Sequence, residues 1–315
     1  MAKYSAIGSQ GFQGEKMKKL SFVISLPGEN NYLSEQAAAA KAAAERLNLE
    51  LQILNALSDP VVQSQQLLEI IQSNSKRPDG IIAEPVTNAG LPRVAEAATK
   101  AGIGWVISNA QVDYMSTLRK FAKVPVFGIS QDHIEIGRMQ GRQFGALLPR
   151  GGSILYLRGP ATNFLASQRT EGIESTTSRS IQIKMLKIQW TEENAYKSVT
   201  SWLRLQTVRA GDTHLISSQN IDFIIAARRA FQDCTMGAER AKWLSLPFTA
   251  AGVPRQVKPQ VDNGTLSAAI TTPLTMDLAL EMLVKSLQTG LQPAEHTFLP
   301  ASSYPPLEAL AKKTA

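Results

Sequence analysis

Cysteine, histidine and aromatic residues are all scarce in this sequence: one cysteine, three histidines, and 6% aromatic residues among 315. A single cysteine, Cys234, excludes an internal disulfide and any multi-cysteine metal site, and leaves the redox compartment open. His133, His214 and His296 lie far apart and in none of the H-x-x-H or H-E-x-x-H spacings that place two imidazoles on one helical face, which argues against a metal site. Cys234 follows Asp233 in a helical stretch, a poor place to lower a thiol pKa. Neither G-x-G-x-x-G after the first strand nor G-x-x-x-x-G-K-S/T nor G-x-S-x-G occurs, so dinucleotide, P-loop and nucleophile-elbow chemistry have no support. The reading is therefore of a non-enzyme without a cofactor. No apolar run reaches the roughly 18 residues of a transmembrane helix. The formal charge of +7 is spread along the chain without a basic block, which reads as a solvated basic surface and not as a nucleic-acid footprint.

What the sequence does carry is a regular alternation of short apolar runs and amphipathic stretches. With 43% hydrophobic and 19% charged residues it reads as a soluble globular chain, and its length suits two domains. Everything hangs on residues 18–55. Leu20–Leu26 is a nearly unbroken apolar run, as expected of a strand covered on both faces, and Pro27-Gly28 ends it. Leu33, Ala37, Ala40, Ala44 and Leu47 then form one stripe of a helix over 33–47, with Asn31 as its expected N-cap. The intervening loop, Gly28–Tyr32, lies at the carboxyl end of a parallel strand, where open α/β sheets bind ligands. Strands follow at 49–54, 80–83, 105–108 and 125–129, with helices from Ser58-Asp59-Pro60 to Gln72 and from Leu91 to Ala101 between them.

The same grammar repeats from Ser130-Gln131-Asp132 onward. Helices are expected over 133–148, 164–177, 192–208 and 222–232, and strands over 153–157, 181–189, 214–218, 244–249 and 266–271. A last helix begins with Pro273 in its first turn and ends at Gln288, with Gly290 as its stop signal. Strand and helix in alternation mean right-handed crossovers and parallel, doubly wound sheets. The polar stretch 1–16, MAKYSAIGSQGFQGEK, lacks an apolar core segment and reads as a disordered leader or an expression remnant. Either an export signal has been removed, or the natural protein begins near Met17 and stays in the cytoplasm.

The order of these segments resembles the type I periplasmic sugar-binding proteins, and the ribose-binding proteins most. The likeness rests on the run Leu20–Asn55, Asp59-Pro60, Asp79–Ile82 with Pro85, and Ala101-Gly102-Ile103. It continues through Ser130-Gln131-Asp132 with Gly137, Arg169 with Glu171-Gly172, Gln219-Asn220, and Asn263–Leu266. It implies two similar doubly wound lobes joined by a three-strand hinge, with crossings near Ser130, Thr272 and Pro300. The N-terminal lobe would hold 17–130 with 273–299, and the C-terminal lobe 131–272 with 300–315. It further implies capture of a sugar, polyol or similar molecule by hinge closure, delivery to an ABC permease, a monomeric state, and a periplasmic or cell-envelope location. A ligand-sensing domain of a signalling or regulatory system shares this fold and stays open as the alternative.

By the same resemblance the ligand contacts fall on Asn30, Tyr32, Asn109, Ser167, Asn220, Thr249 and Thr272, with Leu33, Phe164 and Trp190 as possible additions. Asparagine suits hydroxyl groups because its amide both donates and accepts. The set departs from the ribose pattern: Asn109-Ala110 stands for an Asp-Arg pair, Ser167 for Arg, Thr249 for Asp, Thr272 for Gln, and Leu33 for a stacking Phe, and the first three of these changes remove charged groups. Charge-assisted bonds are about twice as strong as neutral ones, so the pocket is expected to favour a ligand other than ribose. Plainer roles stand beside these: helix capping for Asn31, core packing for Tyr32, Trp105, Trp202 and Trp243, and a structural ion pair for Arg169.

Overall fold

The computed structural model describes residues 19–73, 77–87, 89–205 and 208–314, so the expected leader lies outside the described residues. The first half runs β1 (Ser21–Leu26), α1 (Asn31–Arg46), β2 (Glu50–Asn55), α2 (Pro60–Gln72), β3 (Gly80–Ala83), α3 (Pro92–Lys100), β4 (Gly104–Ser108), α4 (Met115–Phe121) and β5 (Val126–Gln131). The second half runs α5 (His133–Leu147), β6 (Gly152–Arg158), α6 (Phe164–Thr176), β7 (Ile181–Lys187), α7 (Glu192–Leu203), β8 (Leu215–Ser218) and α8 (Ile221–Cys234). It continues through α9 (Gly237–Ser245), β9 (Phe248–Gly252), α10 (Pro254–Asp262) and β10 (Ala268–Thr271). The chain then returns through α11 (Met276–Thr289) and β11 (His296–Leu299), and ends with β12 (Ser302–Tyr304) and α12 (Leu307–Thr314).

Two six-stranded sheets result. The N-terminal sheet has the order β11-β5-β4-β3-β1-β2 and is parallel throughout; the C-terminal sheet has the order β12-β10-β9-β8-β6-β7, with only the β10–β12 pair antiparallel. This is the expected pair of doubly wound lobes. The chain passes between them three times: from β5 into α5, from β10 into α11, and from β11 into β12.

The apolar strands are unbroken because each feeds two cores. Phe22, Ile24 and Leu26 of β1 join α1 and α11 on one face of the sheet, while Val23 joins α2 and α3 on the other. In the C-terminal lobe Leu155 and Leu157 pack on one side of β6, and Ile154 and Tyr156 on the other. Alternation of side chains along a strand makes both faces apolar only where helices cover both.

Several local expectations shift. Asn30, not Asn31, caps α1: its side-chain oxygen accepts from Leu33 N at 2.8 Å, so the helix begins two residues earlier than its apolar stripe. Pro273 lies ahead of α11, in the crossing itself, and Gly290 closes that helix at φ 71° as its position suggested. The strand expected at 244–249 is β9, beginning at Phe248. Leu244 and Ser245, at the start of that run, belong instead to α9, because a short apolar run does not separate buried helix from strand. The short helices α4, α9 and α10, of seven to nine residues, span too few turns to stand out in the sequence.

The glycines of the 130–172 region have a packing cause. A Cβ on Gly137 would lie 2.1 Å from the Arg169 carbonyl, and one on Gly172 would lie 2.1 Å from that of Ile134, so α5 and α6 touch backbone to backbone. We expect Gly137→Ala to lower stability by about 2–3 kcal/mol through overpacking. Gly145→Ala, on the same helix with open space around it, should be neutral or stabilise by up to about 1 kcal/mol. Urea unfolding of both variants checks this; equal effects at the two positions would show that the helix contact does not limit stability.

Candidate functional site

The carboxyl edges of the two sheets face each other across a cavity of about 740 Å³. The N-terminal lobe contributes the loop after β1, with Asn30, Tyr32 and Leu33, and the loop after β3, with Glu84 to Thr87. From the C-terminal lobe come the segments after β6, β7, β8, β9 and β10, including Asn163, Trp190, Gln219, Asn220 and Thr272. Asn30 and Asn220 both cap helices whose N-termini meet the cavity, α1 and α8, through their side-chain oxygens. What each has left for a ligand is its amide NH2 donor.

Beneath the cavity a buried hydrogen-bond chain crosses from one lobe to the other. The Tyr32 hydroxyl accepts from the side-chain amides of Gln36 at 2.6 Å, Asn109 at 2.9 Å and Gln131 at 3.1 Å. Gln36 also accepts from Thr275 N and Met276 N, which ties α1 to the start of α11. Gln131 donates to the Pro273 carbonyl at 2.8 Å and accepts from Arg169 Nη2 at 3.1 Å. Arg169 Nη1 in turn donates to the Gln219 carbonyl at 2.6 Å, and the Gln219 side chain holds Gly159 N and the Ala166 carbonyl. Two of the three crossings are thus held in one hydrogen-bond chain that reaches both lobes, with Arg169 its one cationic member. Arg169 has no acidic partner among the described residues, which corrects the expectation of an ion pair: its guanidinium is held by carbonyl and amide oxygens. Burial lowers its pKa, and it helps, after burial itself, to hold the neighbouring His133 neutral well below the ordinary imidazole range.

Two acids line the cavity, the exposed Glu29 and the more enclosed Glu84. Glu84 follows the fully buried strand β3, and Gln63 pins its loop by donating to the Glu84 carbonyl at 2.8 Å and accepting from Val86 N at 3.0 Å. One carboxyl oxygen accepts from Asn109 Nδ2 at 3.0 Å, and its remaining accessible surface lines the cavity. Loss of hydration pushes its pKa up to about 7, only partly offset by the Asn109 bond. Burial also raises the Tyr32 phenol, with the Glu84 charge adding to it.

Of the positions singled out from sequence, Asn30, Tyr32, Leu33, Trp190, Asn220 and Thr272 line the cavity. Asn109 sits just below, with a left-handed backbone (φ 55°) that asparagine tolerates, joined to both Tyr32 and Glu84. Ser167 does not line it: Leu165 and Arg169, one helical turn apart on α6, do, which turns Ser167 to another face, where it donates to the Ala161 carbonyl. Phe164 is likewise off the lining, between Asn163 and Leu165, which are on it. Thr249 is buried two residues upstream of the cavity-lining Ala251 and bonds Ser217 inside the sheet. Glu84 and Gln131 were not singled out, although a carboxyl directly after an all-apolar parallel strand was a usable signal for the first. Among the described residues no group of three or more His, Cys, Asp or Glu could hold a metal ion.

The family model described as periplasmic binding protein domain matches residues 21–290. The chain belongs to that family. Among solved structures, a galactofuranose-binding protein superposes with a TM-score of 0.76 at 19% identity, covering 94% of this chain and 98% of its own. A solute-binding protein of an ABC transporter from Bacillus halodurans, with bound myo-inositol, gives 0.76 at 16% identity, covering 94% and 97%. The fructose-binding periplasmic domain of a hybrid two-component system gives 0.73 at 16% identity, covering 94% of each chain. No curated protein sequence matches. At these identities the likeness establishes the two-lobe periplasmic binding protein fold, in a family named for binding and not for catalysis.

Glu84 makes stability depend on pH. Between its ordinary value near 4.5 and about 7, the folded protein keeps a proton that the unfolded chain has released, so stability present at low pH is lost as pH rises through 7. Glu84→Gln should therefore be more stable than the parent by about 2–3 kcal/mol at pH 8 and nearly equal to it at pH 5. Urea unfolding at the two pH values measures this, and a difference that does not change with pH would place the carboxyl in water.

Proposed function

We propose that this protein is a solute-binding protein that captures a sugar, polyol or similar small molecule between its lobes and presents it to an ABC transporter outside the cytoplasm. The observation that carries the reading is the cavity between two opposed sheet edges, whose lining includes the amide and hydroxyl side chains of Asn30, Asn163, Asn220 and Thr272 beside Glu84 and Arg169, and which is spanned from below by the Tyr32–Gln131–Arg169 chain. Asn, Gln and Thr side chains both donate and accept, as a polyhydroxylated ligand requires. We assign the lobes to 17–130 with 273–299 and to 131–272 with 300–315, the three crossings acting as the hinge. Hinge closure is the established motion of periplasmic binding proteins as a class. In the present arrangement the rims already meet: Asn31 Nδ2 donates to Asp222 Oδ1 at 2.9 Å, and Arg255 pairs with Glu35.

The ligand contacts we assign are Asn30, Tyr32, Glu84, Arg169, Asn220 and Thr272, with Asn109 orienting Tyr32 and Glu84. The protein is taken to act as a monomer. The second reading, a sensory domain that passes closure to a signalling partner, draws on the fructose-binding domain of a two-component system that shares this fold. The partner recovered by the liganded protein separates the two: a permease supports transport, and a kinase or receptor supports sensing.

Thermal shift against pentoses, hexoses, polyols and cyclitols tests the core of the proposal. A solute at about 100 times its dissociation constant should stabilise by roughly 2.7 kcal/mol. Asn220→Asp keeps the capping oxygen but removes the NH2 donor, so it should fold normally and lose at least about tenfold in affinity, a loss of about 1.4 kcal/mol. Full affinity in that variant would move the site elsewhere.

A further inference from the structure

The wall that the N-terminal lobe gives to the cavity carries charge of one sign. In a chain with a formal charge of +7, the lining segments after β1 and β3 hold Glu29 and Glu84 and, among the described residues, no lysine, arginine or histidine. The two acids stand over neighbouring strand ends, since β1 and β3 pair in parallel and Glu84 N donates to the Ser25 carbonyl at 2.9 Å. Each carboxylate has one oxygen engaged by an asparagine: Glu29 accepts from Asn55 Nδ2 at 2.9 Å, and Glu84 from Asn109 Nδ2 at 3.0 Å. Neither has a salt bridge among the described residues.

The titratable and charged groups around Glu84 come from four elements: Glu29 from the loop after β1, Tyr32 from α1, His133 from α5 beside Asn109, and Arg169 from α6. None supplies a cation at bonding distance. Burial keeps His133 neutral, and the two terminal nitrogens of Arg169 are committed to the Gln219 carbonyl and the Gln131 side chain. In that setting the carboxyl holds a proton up to about pH 7. A solute hydroxyl adds a hydrogen bond but no charge, and leaves this balance nearly intact. An ammonium group on the free oxygen would instead displace the proton and make the enclosed carboxylate half of an ion pair, with the stronger bond that charge on both partners gives.

We propose that Glu84 is a specificity-determining residue that selects a solute bearing a basic amine, an amino sugar or amino polyol, over the neutral sugar of the same shape. Glu29 draws the same cation toward that wall from its exposed position. The inference rests on the solute-binding reading and names a solute class for it. Because amine and proton compete for one carboxyl, affinity for the amine falls as pH drops below 7 and levels off above it. A primary alkyl amine keeps its own proton throughout that range, so the proton released on binding comes from Glu84.

Calorimetry on the full chain at pH 7.5 and 5.5 tests this, in buffers of different ionisation enthalpy that count the proton released. The probes are D-glucose, D-galactose and D-sorbitol, each paired with its primary amino-deoxy derivative and with the N-acetyl form of that amine, which has similar bulk and no charge. At pH 7.5 at least one amine should bind about tenfold tighter than both its neutral counterparts. Its affinity should drop at least about tenfold at pH 5.5, with the neutral probes changing less than about threefold. Glu84→Gln should remove both the preference for the amine and its pH dependence. A neutral solute that binds at least as tightly as its amine, a preference undiminished at pH 5.5, or one that survives Glu84→Gln would overturn this role of Glu84 and leave the solute-binding reading standing. A folded protein that binds none of these probes, and none of the neutral solutes of the thermal-shift panel, would overturn both.

Discussion

The buried contact between Tyr32, Gln131 and Arg169 is the constraint on which the two-lobe arrangement depends. Gln131 ends the last strand of the first half, and its one amide group answers three elements: the Tyr32 hydroxyl of the N-terminal lobe, the Pro273 carbonyl of the returning crossing, and the Arg169 guanidinium of the C-terminal lobe. Gln131 and Arg169 are buried, and Tyr32 and Pro273 half-buried, so an alternative position of either lobe leaves at least one of these polar groups unpaired, at a cost of about 1–3 kcal/mol where the group is out of reach of water. A neutral amide is well suited to that place because it satisfies donors and acceptors together without the desolvation penalty of an ion pair. The arginine it holds is a buried cation bonded to carbonyl and amide oxygens, with no acidic partner among the described residues.

Around this contact the fold is arranged to bring helix starts and strand ends to one place. Every parallel strand delivers its carboxyl end to the cleft side of its lobe, and the right-handed crossovers return each helix N-terminus to the same edge. The backbone contact of α5 with α6, possible because Gly137 and Gly172 lack side chains, sets where Arg169 emerges. Gln63 does the same for Glu84 from the other lobe, by bonding the loop on both sides of it. The polar groups of the cavity are therefore positioned by packed elements, which is how a small site keeps its geometry.

Glu84 changes the electrostatic character of the site. The expectation from sequence is of a pocket emptied of charge relative to ribose-binding relatives, and the positions that lost charged groups are indeed Asn, Ser and Thr. A carboxyl nonetheless enters from the loop after β3. Its surroundings offer one amide donor and no cation in an ion pair among the described residues, so burial dominates and the group is neutral over much of the range below pH 7. As an acid it can donate to a ligand oxygen, and as a carboxylate it accepts; either form differs from what an amide at the same point could do.

The order of strands and helices, the parallel sheets and the two-lobe plan were legible in the chain because each is written in local periodicity: unbroken apolar runs at β1, β3 and β4, helical stripes between them, and proline or glycine at the breaks. Asn30, Tyr32, Asn220 and Thr272 were marked through the resemblance to the sugar-binding family, and each lies in a segment that follows a recognisable strand. What periodicity does not contain is the rotation of a side chain about its helix or its depth along its strand. Ser167 lies on a helix that presents Leu165 and Arg169 to the cavity, and Thr249 lies two residues too deep in β9; both facts depend on how α6 and β9 are seated against their neighbours. Gln131, Glu84 and Arg169 acquire their roles only through partners 38 to 142 residues distant, or in the case of Glu84 from Asn109, 25 residues on. By itself the sequence determined which elements form and on which edge the polar loops gather, because those follow from local pattern. Only the tertiary structure decided which side chains meet across the hinge and which acid is buried, because those depend on distances between segments that no local pattern encodes.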